Sequence, residues 1–92
     1  MRRKTLIPGF RNGQRFRYIL RKPGTDFEVG MYITIQQMSD NFATVRARHA
    51  VEDMMTRLGY ERMLARKSGQ EMPRGVLGDT AYGFHCQVDL CD

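Results

Sequence analysis

Three runs of alternating side chains and one helical stripe predict an α+β fold. The expected architecture is a single small domain. It has an antiparallel β-sheet, made of a hairpin and a C-terminal strand, with one main helix packed on one face. The alternating runs are Arg15–Lys22, Phe27–Gln37 and Tyr82–Cys91, and the stripe lies between 41 and 58. A chain of 92 residues has room for one small core and no second lobe, so residues 1–92 read as one domain.

Residues 1–13 read as a basic N-terminal arm or an edge segment, with turn signals at Pro8-Gly9 and Asn12-Gly13. In the next run Phe16, Tyr18 and Leu20 fall on one face. Arg15, Arg17 and Arg21 fall on the other, with Ile19 among them. Pro23-Gly24-Thr25-Asp26 reads as a turn, Pro fixing φ and Gly supplying a positive φ. The second strand, Phe27 to Gln37, sets Val29, Met31, Ile33 and Ile35 on one face and Tyr32, Thr34 and Gln36 on the other. Two such runs around a short Pro-Gly loop make an antiparallel hairpin.

Ser39-Asp40-Asn41 offers helix N-cap chemistry, since each side-chain oxygen can accept an orphan backbone N–H. At 100° per residue Ala43, Ala47, Ala50, Val51, Met54 and Leu58 form one stripe, opposite His49, Glu52 and Thr56. Gly59 suits the left-handed position that ends a helix, so the helix is expected over about 41–58. Residues 60–67 read either as a short second helix or as a bent continuation past Gly59. Residues 68–79, with Gly69, Pro73, Gly75 and Gly78, read as a loop. In the last run Tyr82, Phe84, Cys86, Val88 and Leu90 share one face.

Charge is distributed unevenly. The net charge is +5, and residues 1–22 hold Arg2, Arg3, Lys4, Arg11, Arg15, Arg17, Arg21 and Lys22 with no acid. Such one-sided charge raises the local concentration and on-rate of an anionic partner. That partner could be a nucleic acid, an acidic protein surface or an anionic lipid. Arg-rich strands also resist edge aggregation, which is a sufficient reason for some of this charge. The strongest constellation is the solvent face of the hairpin. Guanidinium groups of Arg15, Arg17 and Arg21 can bind phosphates bidentately and stack on bases. Tyr32 offers a face for an unstacked base, and Thr34 and Gln36 can reach base edges or sugar hydroxyls. With Arg2, Arg3, Lys4, Arg11 and Lys22 these are the candidate binding residues.

Other chemistries lack their parts. Ser39 and Ser68 sit where caps or loops are expected, no G-x-S-x-G is present, and no catalytic residue is expected. Cys86 and Cys91 do not form the C-x-x-C knuckle. On a regular strand Cys86 points to the core and Cys91 away, so no metal site and no cofactor are expected. Gly75-Val76-Leu77-Gly78 matches the bare G-x-x-G of a KH loop but has no Lys between the glycines, and reads as a surface loop. No run of about 18 apolar residues is present, and the basic start lacks the apolar stretch of a signal peptide, so a cytoplasmic protein with no membrane partner is expected.

The stretch Ala47–Gly59 resembles the closing helix of a double-stranded-RNA-binding domain. That family's first helix is missing here, and its Lys-rich helix start reads Asn41-Phe42-Ala43-Thr44. The whole chain resembles the small phage-encoded anti-CRISPR proteins, in particular those acting on type I-F systems. The likeness lies in its size, its hairpin-helix order (Arg15–Gln37, then Asn41–Leu58) and its lack of a catalytic set. The family shares no motif, so no functional residue carries over. The resemblance implies a non-enzymatic inhibitor that docks on a ribonucleoprotein, a surveillance complex of CRISPR effector proteins and crRNA, and blocks target DNA in a bacterial host. Many members that occupy DNA-binding grooves are acidic mimics of DNA. This chain departs from them with its charge of +5, so its arginines are expected on guide RNA or on acidic protein surface beside it. The alternative is a free-standing RNA- or DNA-binding module, and a third reading is a purely protein-directed adaptor.

Overall fold

Two hairpins lie side by side, joined by one long helix. The computed structural model describes residues 7–11, 13–38 and 40–91. In chain order the elements are β1 (Arg15–Arg21), β2 (Glu28–Thr34), a 3₁₀ turn (Ile35–Gln37), α1 (Val45–Lys67), β3 (Gly75–Asp79) and β4 (His85–Leu90). The sheet order is β2-β1-β4-β3, and every neighbouring pair is antiparallel. The α+β class and the single helix-covered face are therefore as the sequence predicts. The sheet has one strand more, because β3 lies inside the stretch 68–79 read as loop. Gly75-Val76-Leu77-Gly78 is part of that strand, which removes the KH-loop reading.

The β1–β2 turn forms as its residues dictate. The Thr25 N–H donates to the Lys22 carbonyl across Pro23 and Gly24, and Gly24 has φ of 79°. That is a type II turn, with Pro at its second position and Gly at its third. β2 ends at Thr34, three residues short of its predicted end. Ile35 turns inward to the core while Gln37 folds back, its Oε1 accepting from the Thr34 N–H at 2.9 Å. Gln36 therefore lies in the 3₁₀ turn and not on the sheet face.

α1 starts later and ends later than its periodicity suggests. Its N-cap is Thr44, whose hydroxyl accepts from the Ala47 N–H at 3.1 Å. Ala43 precedes the helix and is exposed. At the other end the Gln70 N–H reaches the Ala65 carbonyl and the Gly69 N–H reaches the Arg66 carbonyl, with Gly69 at φ of 74°. This is a Schellman motif, so Gly69 holds the terminating role that Gly59 seemed to suit. Gly59 is buried in mid-helix because the N-terminal chain crosses it there. A Cβ on Gly59 would meet the Pro8 carbonyl and, at 3.1 Å, the Phe10 ring. A Cβ on Gly9 would meet the Gly59 carbonyl oxygen at 2.7 Å. Residues 8–10 are thus docked on the helix, and Ile7 is buried.

The core lies between α1 and one face of the sheet. Phe16, Tyr18 and Leu20 of β1 stand opposite Leu90, Val88 and Cys86 of β4. Ala47, Ala50, Val51, Met54, Met55 and Leu58 of α1 close over them. Each large side chain buried this way contributes about 1.5–3 kcal/mol. The helix packs on β4, β3 and β1. On the β2 side the chain before the helix takes over, with the Phe42 ring 4.9 Å from that of Tyr18. No helix of the described residues is long and apolar enough to cross a membrane.

Two outcomes follow from this packing. Alanine is the better helix former by about 1 kcal/mol. Gly59→Ala should nevertheless lower stability by about 1–3 kcal/mol, because the Pro8 carbonyl leaves no room for a methyl group. A urea midpoint that rises in this variant would mean the crossing is not tight. Burial pushes the Cys86 thiol up to about 12 from its ordinary 9.0. A raised folded value gives stability that is complete below about pH 9 and is lost as pH climbs towards 12. The urea midpoint should fall across that window, and fall less in Cys86→Ala. Equal alkaline slopes in the two proteins would contradict this origin.

Candidate functional site

Strand register decides what the open face of the sheet presents. Directly across four strands, one row runs Glu28 (β2), Arg21 (β1), His85 (β4) and Asp79 (β3). Arg21 Nε lies 3.4 Å from Glu28 Oε2, and His85 Nδ1 contacts Asp79 Oδ1. A second row runs Tyr32, Arg17, Asp89 and Gly75. Arg17 Nη2 donates to Asp89 Oδ2 at 3.1 Å, and Gln87 Nε2 donates to the same oxygen at 2.7 Å. Hydrogen bonding to Asp89, and secondarily to Tyr32, pushes the Arg17 guanidinium above its ordinary value. Gly75 leaves space for this carboxylate, since a Cβ there would collide with Asp89 Oδ1. Between the two rows lie Gly30, Ile19, Gln87 and Leu77, and Leu77 is exposed.

Two of the three arginines read as phosphate ligands are thus already paired on this face. Their carboxylates come from β2, across the hairpin turn from Arg21, and from β4, far from Arg17 in sequence. Tyr32 stands beside Arg17 and is 58% exposed. Thr34 pairs with Arg15 at the end of the sheet. Lys22 lies in the hairpin turn, away from Arg15, and Gln36 is off the face. Arg2, Arg3 and Lys4 lie outside the described residues.

The end of the sheet where Arg15 sits is different. A cleft of about 330 Å³ opens there, lined by Arg11, Gly13, Gln14, Arg15, Arg62, Arg74, Leu90 and Cys91. It gathers the chain before β1, the second half of α1, the chain before β3 and the end of β4. Gln14 Nε2 ties two of these together by donating to the Cys91 carbonyl at 2.9 Å and the Arg15 carbonyl at 3.1 Å. Arg62 Nη1 donates to the Pro73 carbonyl at 2.7 Å, and its guanidinium lies over the Phe10 ring, 5.8 Å from the centroid. Its Nε is buried with no hydrogen-bond partner among the described residues. Arg11, Arg15 and Arg62 have no carboxylate partner among those residues either, whereas Arg74 is engaged in an interaction of its own. No described lining residue is an acid.

Arg62 and Arg74 were not among the sequence candidates. Arg62 reaches the cleft only because α1 continues past Gly59. The available sign was Arg66-Lys67 before Gly69, basic residues in a last turn followed by a left-handed glycine.

A second groove, of about 510 Å³, runs along the inner edge of β2 where the helix does not cover the sheet. It is apolar, with Tyr18, Val29, Met31, Phe42 and Phe84 in its wall and Lys22 at its rim. Cys86 and Cys91 are both free thiols, Cys86 in the core and Cys91 half-buried at the arginine cleft. No three His, Cys, Asp or Glu side chains of the described residues gather to hold a metal ion. Comparison of the chain with protein-family models, with curated proteins and with solved structures finds no match.

Arg17 and Asp89 are each over a third exposed, so their pairing is screened by water. A double-mutant cycle of Arg17→Gln and Asp89→Asn should return only the weak coupling of an exposed ion pair, reduced further by added salt. A strong, salt-insensitive coupling would mean that this pair holds the sheet together.

Proposed function

We propose that this protein works by stoichiometric binding, not by catalysis, and that it docks on a ribonucleoprotein. In this reading the target is the crRNA-guided surveillance complex to which its resemblance points. The protein prevents that complex from engaging target DNA in the cytoplasm of a bacterial host. The class of partner rests on the resemblance. The binding surface rests on one observation: Arg11, Arg15 and Arg62 line a cleft with no described carboxylate. Elsewhere on the sheet the arginines are balanced by acids, so an incoming polyanion gains most at this end. Phosphate contacts from a few arginines position a protein on nucleic acid without reading its sequence.

A free-standing RNA- or DNA-binding module is the second reading. The exposed Tyr32 beside Arg17 supports it, because an aromatic ring on an open sheet is a stacking platform for an unpaired base.

The two readings separate in one assay. A purified type I-F surveillance complex is mixed with target DNA, with and without the protein, and DNA binding is followed by gel shift. Loss of the shifted band at one or a few equivalents is expected of the inhibitor. An unimpaired shift at large excess, together with binding of naked single-stranded RNA, would replace it by the free-standing module. On naked RNA, phosphate contacts should make log K fall linearly with log salt.

A further inference from the structure

We propose that the arginine cleft is a receptor for a terminal phosphate of single-stranded nucleic acid, a phosphate monoester at a chain end, held by Arg11, Arg15 and Arg62. This deepens the reading above and rests on it. Three observations support the assignment.

The first is shape. A space of about 330 Å³ is at the small end of ligand cavities, with room for a phosphate group. The second is charge. An internal phosphodiester carries one negative charge, whereas a monoester carries about −1.5 to −2 at neutral pH with three acceptor oxygens. Three guanidinium groups with no described acid beside them match the second better than the first.

The third is preorganisation. Arg62 is fixed by the Pro73 carbonyl and the Phe10 ring, so little freedom is lost when it binds. Arg15 belongs both to the cleft and to the open face.

The test uses the full-length protein and fluorescein-labelled eight-nucleotide oligouridylates with a 5′-phosphate, a 3′-phosphate or hydroxyls at both ends, the label being internal. Anisotropy should show at least tenfold tighter binding for one phosphorylated oligomer than for the hydroxyl form. In Arg62→Gln that preference should fall below twofold, while Arg46→Gln, an exposed helix position, should keep it. Arg11→Gln alters only an exposed side chain, so it serves the same purpose should Arg62→Gln fail to fold. Equal affinity for all three oligomers would overturn the chain-end assignment and leave the binding function standing. Competition by millimolar inorganic phosphate, with no gain from an attached oligomer, would also overturn it and make the cleft a site for the free anion. Failure to bind any oligomer, together with failure to affect the surveillance complex, would remove both proposals.

Discussion

β1 is paired on both sides, along its whole length with β2 and from Phe16 to Arg21 with β4. Against β2 its partners run from Thr34 to Glu28, and against β4 they run from Leu90 to His85. One face of the strand must therefore be core, and Phe16, Tyr18 and Leu20 are there, all essentially inaccessible. The other face must share space with whatever β2 and β4 place beside it. Register places Glu28 beside Arg21 and Asp89 beside Arg17. A one-residue slip would send every side chain to the opposite face, so the burial of the apolar set also fixes the ion pairs. The electrostatics of the surface are in this sense a consequence of the packing beneath it.

The crossing of Gly9 over Gly59 has a comparable reach. It needs two residues without side chains, one on the chain and one on the helix. Through it the N-terminal segment is held against α1, so that Phe10 underlies Arg62 and Arg11 comes to the same cleft. It also requires the helix to run through position 59 rather than stop there. The cleft therefore depends on a contact that contributes no ligand itself.

Most of the fold was legible in the sequence, and the reasons are local. The Pro23-Gly24 turn, the alternation of 15–21 and 85–90, and the Ala/Met/Leu stripe each express a short-range preference. What was not legible depended on neighbours that the stretch itself does not display. β3 is Gly-Val-Leu-Gly-Asp, with too little alternation to stand out, and it becomes a strand by pairing with β4. Gly59 looks like a helix end unless Pro8 is known to lie on it. Gln36 looked like a sheet-face residue because the alternation of 29–35 runs on past Thr34, where the backbone turns. For the site, Arg15, Arg17 and Arg21 were identified by charge alone, and the carboxylate partners of Arg17 and Arg21 came only with the structure. Charge clustering along a chain reports composition; charge on a surface depends on register.

The arginines around the sheet divide into a balanced pair, Arg17 and Arg21, and a set at one end with no described carboxylate, Arg11, Arg15 and Arg62. A comparison of two double variants in binding to single-stranded RNA at fixed salt tests it most directly. Arg17→Gln with Arg21→Gln removes charges that already have partners, and Arg11→Gln with Arg15→Gln removes charges that line the cleft. Each pair removes two positive charges, so a general effect of net charge would weaken both equally. The first variant should stay within about twofold of the parent and the second should lose at least tenfold, about 1.4 kcal/mol, as two charge-assisted contacts go. Equal losses, or the greater loss in the first variant, would contradict this division.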